Sequence, residues 1–371
     1  MKLNLIRETL LRPLQLVIGV VERKQTIPIL SNVLLSTEKN TLSITGTDLE
    51  VELIGQIQLE KDDEVDQLKL TIPGRKLMDV CRALPKNALI ELYRDKGKII
   101  LRSGFSRFTL STLPAEDFPS VERRETYLKL MISQHQFHRL LQRTAFAMAQ
   151  QDVRYYLNGL LFETYPTQLR AIATDGHRLS ANVLNIETNI EHRLQIIIPR
   201  KGVIELLRLL ADNDDPAMLK IGDNHICVST KDFTFTSKLI EGRFPDCERV
   251  IPKGGNKQVV IDRNILKQAL IRTAVLCNEK FKGIRFEFRQ NLLRILATNH
   301  QQETAEEKVK IDYAKEDLNI GFNVNYLLDV LNTISSSGNI TLTFSNPDSS
   351  VLIQESENQT DSAFVVMPMR L

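Results

Sequence analysis

Short runs in which apolar and polar residues alternate dominate the chain, and six stretches with apolar positions at i, i+3, i+4 and i+7 interrupt them. The first kind predicts half-buried strands and the second amphipathic helices. Three alternating runs are variants of one another: LSITGTDLEVEL from Leu42, LRAIATDGHRLSA from Leu169 and LRILATNHQQETAEE from Leu293. Each ends in Thr followed by Asp or Asn, and the threonines Thr47, Thr174 and Thr298 are 127 and 124 positions apart. Helical patterns keep the same period. RETLLRPLQLVIGV, QHQFHRLLQRTAFAM and RNILKQALIRTAVL open near positions 7, 134 and 263. IPGRKLMDVCRALP, IPRKGVIELLRLLAD and FNVNYLLDVLNTI follow at Ile72, Ile198 and Phe322, with Pro73 and Pro199 at the predicted helix starts. LSTLPAEDFPSVER and SKLIEGRFPDCERV close the first two units, and AFVVMPMRL ends the third. A shared period of this kind predicts three tandem homologous domains, 1–126, 127–253 and 254–371, each with two helices and many strands. KIILRSGFSRFTLSTL and HICVSTKDFTFTSKL read as hairpins, and helices segregated on antiparallel sheet make the class α+β.

Charge adds little to this picture at first. Lys and Arg number 48 and Asp and Glu 46, so basic surface must come from local clustering. Cys81, Cys227, Cys247 and Cys277 are widely spaced with no C-x-x-C, which argues against zinc and against a disulfide framework and fits a reducing cytoplasm. The opening MKLNLIRETLLRPLQ lacks the apolar core of a signal peptide, and no apolar run is long enough for a membrane span.

The one place that looks chemical is Asp175, His177 and Arg178, a carboxylate, a base and an anion binder within four residues. The repeat sets a competing reading beside it. The same slot holds Asp48 and Asn299, so Asp175 is more simply a turn residue bonded to its own downstream backbone. No G-x-S-x-G, Walker A, G-x-G-x-x-G or H-E-x-x-H pattern occurs, and the sequence predicts neither an enzyme, a metal nor a cofactor. His177 and Arg178 belong to the second copy alone, which suits either a surface turn or a specialised site.

Five of the six helices carry an excess of base: Arg7, Arg12, Arg23 and Lys24; Arg75, Lys76, Arg82 and Lys86; Arg139 and Arg143; Arg200, Lys201 and Arg208; Arg263, Lys267 and Arg272. The sixth has Asp329 and no base. These are either solvated faces or a surface converging on a polyanion without sequence reading.

TGTDLEVEL, DVCRALP, RFTLSTLPAEDFP, QDVRYYLNGLLFE, ATDGHRL, PRKGVIEL, TFTSKLIEGRFPD, NEKFKGIRF, GFNVNYLLDVLN and VVMPMRL together closely resemble the bacterial sliding clamps, the DNA polymerase III beta subunit family, over essentially the whole chain. The resemblance implies three DNA-clamp domains per chain and a head-to-tail dimeric ring, with helices inside and antiparallel sheets outside. Such a ring encircles duplex DNA without sequence preference and does no chemistry. The implied partners are the polymerase III alpha subunit, the clamp loader delta subunit, and other polymerases and repair proteins bearing clamp-binding peptides.

The resemblance also implies residues. A peptide groove between the second and third domains maps onto Arg154, Leu157, Thr174, Gly176, His177, Arg178 and Leu179. It continues through Pro245, Arg249, Val250, Asn323, Tyr326 and Ser350 to Val366, Met367, Pro368, Met369 and Arg370. DNA contact maps onto Lys24, Gln151, Tyr155 and Tyr156. The dimer interface maps onto Lys76, Val80, Lys98, Arg107, Phe108 and Leu110 on one side, and Leu276, Glu303, Glu306 and Glu307 on the other. The chain departs from the family pattern at Phe105, where a base is expected, and at Gln301 and Thr304, where acids are expected. A dimer less sensitive to salt follows. Asp348 stands near the groove where an apolar residue is usual.

Overall fold

The computed structural model describes residues 2–21, 27–59, 68–121, 126–188, 190–252, 254–334, 338–356 and 361–370. Arg23 and Lys24, expected on the first helix, lie outside the described residues.

The first repeat runs β1 (Lys2–Ile6), α1 (Arg7–Val17), β2 (Asn32–Glu38), β3 (Thr41–Thr47), β4 (Val51–Gln58), β5 (Lys69–Pro73), α2 (Gly74–Ala83), β6 (Leu89–Asp95), β7 (Lys98–Ser103) and β8 (Ser106–Ser111). The second is β9 (Thr126–Ser133), α3 (Gln134–Ala145), β10 (Gly159–Tyr165), β11 (Gln168–Thr174), β12 (Arg178–Asn185), β13 (Leu194–Pro199), α4 (Arg200–Leu209), β14 (Pro216–Gly222), β15 (His225–Ser229) and β16 (Phe233–Lys238). The third is β17 (Lys257–Asp262), α5 (Arg263–Ala274), β18 (Gly283–Arg289), β19 (Leu292–Thr298), β20 (Thr304–Lys310), β21 (Leu318–Asn323), α6 (Val324–Thr333), β22 (Asn339–Phe344), β23 (Val351–Glu355) and β24 (Ser362–Val366). The order β-α-β-β-β-β-α-β-β-β recurs unchanged, so the class is α+β as expected. Pro73 and Pro199 each close a strand one residue before the helix rather than opening it.

Helix pairs are joined alike in the first and third repeats. In the first, Arg7 Nε donates to the Cys81 carbonyl at 2.6 Å, and in the third Arg263 Nε donates to Leu331 at 2.7 Å. Gln134 fills that slot in the second, accepting from the Ala211 amide at 3.0 Å. Counting from the first helical residue therefore aligns the three copies.

The sheets do not respect the repeats. Two four-stranded sheets, β1-β6-β7-β8 and β20-β19-β18-β21, belong to the first and third copies. Two eight-stranded sheets are shared, β5-β2-β3-β4-β16-β15-β14-β9 and β13-β10-β11-β12-β24-β23-β22-β17. The seams are antiparallel: β4 pairs β16 with Leu53 opposite Phe235, and β12 pairs β24 with Ser180 opposite Phe364. The chain accordingly forms two compact units that divide the second repeat, Met1–Phe137 with Lys201–Leu239, and His138–Arg200 with Ile240–Leu371.

In the first unit α1 packs on β3 and β4. A Cβ at Gly55 would lie 2.8 Å from Pro13 Cβ, so glycine is what lets the helix lie this close. In the second unit a chain of rings, Phe322, Phe286, Phe288, Phe344 and Tyr313, fills the third copy's core with centroids 4.7 to 6.0 Å apart. With no tryptophan in the chain, phenylalanine carries this bulk. A buried ion pair ties the β12–β24 seam to α3. Arg143 meets Glu355 at 2.5 Å and Ser362 at 2.8 Å, and its carbonyl accepts from Ser180 at 2.6 Å. Arg143 is thus withdrawn from the basic surface expected of α3.

Candidate functional site

The Asp175 turn is a repeated structural device. Asp48 Oδ1 accepts from the amides of Glu50 and Val51, Asp175 Oδ1 from those of His177 and Arg178, and Asn299 Oδ1 from those of Gln301 and Glu303. Thr47 and Thr174 each donate a hydroxyl to the carbonyl four residues on. The second copy carries Gly176 at φ +88°, where the first tolerates Leu49 at +79°. The carboxylate of Asp175 is filled by these amides and by Arg178 Nε at 3.1 Å. His177 makes no bond to it through the ring, and stacks instead on Tyr326 at 6.3 Å. No base–carboxylate dyad forms here.

Arg178 holds this corner together. It binds Asp175, pairs with Asp329 on α6, donates to the Phe146 carbonyl at 2.8 Å, and lies 4.7 Å over the Tyr326 ring. Its side chain is 12% exposed, so it builds a wall rather than offering charge. Burial, followed by the nearby Asp175 charge, pushes the Tyr326 hydroxyl above its ordinary pKa. Asn323 caps α6 by accepting from the Asn325 amide at 2.9 Å.

Beneath lies an apolar floor of Leu157, Leu161, Leu179, Phe244, Leu352 and Val365, with Tyr156 and Ile240 packed against it. The C-terminal tail is fixed at its edge by backbone: Met367 N donates to His177 O at 2.9 Å, and Met369 N to Gly321 O at 2.8 Å. Val366 is fully buried, whereas Met367 and Val250 are each 39% exposed. Pro245, Arg249 and Arg370 are exposed; Thr174 is buried, and Ser350, Pro368 and Met369 are half-buried. Asp348 is exposed in the loop before β23.

Arg154 stands at the rim, bidentate to Asp152 at 3.0 and 2.8 Å and reaching Asp175 O at 3.3 Å. That guanidinium holds the Asp152 carboxyl down at about 2. Next to it Tyr155 is exposed, while Tyr156 packs on the floor with the two rings edge to face at 5.7 Å. Gln151 turns the loop at φ +57° and is exposed.

Two of the edge strands, β8 and β20, stand where the internal seams form in the other repeats. Among the described residues β8 pairs only with β7, and β20 only with β19. Lys76, Lys98 and Arg107 have no ion-pair partner among those residues, and Phe108, Leu110 and Val80 are half-buried. The acids on β20 and just before it are engaged. Arg272 holds Glu307 at 2.7 and 2.9 Å, Arg294 and Lys308 hold Glu306, and Asn299 binds Glu303. These hydrogen bonds lower the pKa of both Glu306 and Glu307. Leu276 is half-buried beside Val275, which is 77% exposed.

Asp329, Phe146, Asp152 and Val275 are the residues that sequence reading missed. Asp329 did leave a signal, as the lone acid in a helix without base. Among the described residues no cluster of His, Cys, Asp or Glu suits a metal, and no helix is long and apolar enough to cross a membrane.

Family models match three successive stretches: the DNA polymerase III beta subunit N-terminal domain over residues 1–122, its central domain over 131–246 and its C-terminal domain over 248–370. The Beta sliding clamp of Pseudomonas putida is 53% identical over 371 residues, spanning 100% of both chains. That of Escherichia coli K12 is 46% identical, again with 100% of each covered. The crystal structure of the Pseudomonas aeruginosa DNA polymerase sliding clamp with ligand superimposes with a TM-score of 0.97 at 52% identity, covering 100% of each chain.

Proposed function

The chain belongs to the DNA polymerase III beta subunit family, the bacterial sliding clamps, and we propose on that basis that two copies join head to tail into a closed ring around duplex DNA. It is a DNA sliding clamp, a processivity factor that performs no chemistry itself. The observation that carries the ring is the place of two edge strands, β8 and β20, in the repeat. β8 occupies in the first repeat the place of β16 and β24, and β20 occupies in the third the place of β4 and β12. Joining β20 of one copy to β8 of another repeats a seam the chain already makes twice. The register follows from those seams. Phe108 is the counterpart of Phe235 and Phe364, and Ala305 that of Leu53 and Ser180. Ala305 then faces Phe108 of the second copy, and Glu306 faces Arg107, so opposite charges fall opposite each other.

The apolar floor with its exposed Met367 and Val250 suits an apolar peptide from the polymerase III alpha subunit, the clamp loader delta subunit or another clamp-binding protein. Arg154, Arg249 and Arg370 rim it, and His177 with Tyr326 forms a wall. Gln151, Tyr155 and Lys24 are assigned to DNA, and Tyr156 to the floor beside them. The domain limits are drawn near 126 and 253, and the site of action is the cytoplasm. The test is retention after loading by a clamp loader on nicked circular DNA, before and after linearisation. A ring stays on the circle and is lost from the ends. Equal binding to both forms would replace this reading with a non-ring scaffold.

A further inference from the structure

The internal seams share more than strand pairing. In the first, the two-residue turn Lys231-Asp232 between β15 and β16 reaches back to the preceding repeat's helix, where Arg12 donates to Asp232 at 3.2 Å beside Leu16. In the second, Arg143 meets Glu355 and Ser362, the residues that flank the β23–β24 connection. By helix position Arg12 corresponds to Gln268, and Leu16 and Arg143 correspond to Arg272. The first seam therefore sets its hairpin tip, and the second the strand ends of its hairpin, against the neighbouring helix.

At the β8 edge the corresponding tip is Gly104-Phe105, between β7 and β8. Gly104 takes φ +53°, and Phe105 is fully exposed with no ring contact among the described residues. Its own chain gives no reason for a phenylalanine there. The patch it would meet is on α5. Ile265 there is 55% exposed, and Arg272 is 56% exposed with Nε and Nη2 fixed by Glu307. A guanidinium held in plane by a bidentate carboxylate keeps its faces free for an aromatic ring.

Resting on the ring reading above, we propose that Phe105 is the anchor of ring closure: it packs on α5 of the second copy, over the Arg272 guanidinium and against Ile265. An aromatic anchor is screened by salt far less than an ion pair. Closure then depends on a side chain that no internal seam supplies.

The experiment is a double-mutant cycle on the dimer dissociation constant, measured by sedimentation at low and high salt with Phe105→Ala, Arg272→Gln and the double variant. Phe105→Lys, which sets a like charge against Arg272, is a second probe, and thermal unfolding checks each fold. Phe105→Ala is expected to weaken the dimer by about tenfold or more at both salts, and by much less in the Arg272→Gln background. Phe105→Lys is expected to weaken it further. A wild-type dimer that Phe105→Ala leaves unchanged, or losses that simply add, would overturn the anchor and leave the ring standing. A wild type that stays monomeric at every concentration would overturn the ring itself.

Discussion

Arg178 illustrates what one residue does when its partners come from three elements. Asp175 orients it from its own turn, Asp329 from α6, and Phe146 from the end of α3. Removing it takes from the Asp175 and Asp329 carboxylates the cation they share. Arg178→Ala is therefore expected to reduce affinity for a clamp-binding peptide by about tenfold, read by fluorescence anisotropy. Arg154 acts more locally. Its hydrogen bonds hold Asp152 at about 2, below the ordinary 3.8, so this pairing stabilises the fold above the ordinary value and is lost as pH falls through about 2. In Arg154→Ala the Asp152 carboxyl should titrate back in the ordinary carboxylate range by NMR. Burial raises the thiols of Cys81 and Cys247 to about 11 and about 12, and all four cysteines are free and buried. A thiol reagent at neutral pH is expected to label none in the native protein and all four after unfolding. At this scale the sequence was half legible. The Asp175 turn could be read because two other copies carry it. The role of Arg178 could not, because Asp329 lies 151 residues away.

At the scale of elements, the two helices and the hairpins of each repeat were legible from periodicity, since each depends on neighbours in sequence. The seams were hidden. β12 and β24 alternate like any other strands, and nothing local says which edge finds which. Arg143 was misread for the same reason. Four residues after Arg139 it looked like a second base on one helix face, yet it faces the seam and its acid lies in another repeat. A buried pair of this kind is costly to break from one side. Arg143→Met should lower unfolding free energy by about 3–5 kcal/mol in urea, and adding Glu355→Leu should recover much of the loss. On the other shared sheet, Gly55→Val should cost about 1–3 kcal/mol by forcing Pro13 and α1 off β4.

For the whole molecule, the register predicted for the closing seam brings Arg107 against Glu306. Arg107→Glu should weaken the dimer, and adding Glu306→Arg should restore part of it, seen by light scattering as a return toward twice 42.4 kDa. The sign of both effects is set by the opposed charges, and their size stays small because Glu306 already has Arg294 and Lys308.

In the ring proposed above, the edge strands β8 and β20 make each chain a bifunctional unit in the sense of polymer chemistry, with a head group and a tail group that join each other. Such units sit in a balance between linear oligomers and cycles. Once one junction exists, the remaining head and tail share a tether and meet at an effective concentration on the order of millimolar. Dilution therefore favours the cycle of two, and crowding adds open chains. One junction can part while the other holds, so opening the cycle and losing a subunit are separate events with separate rates.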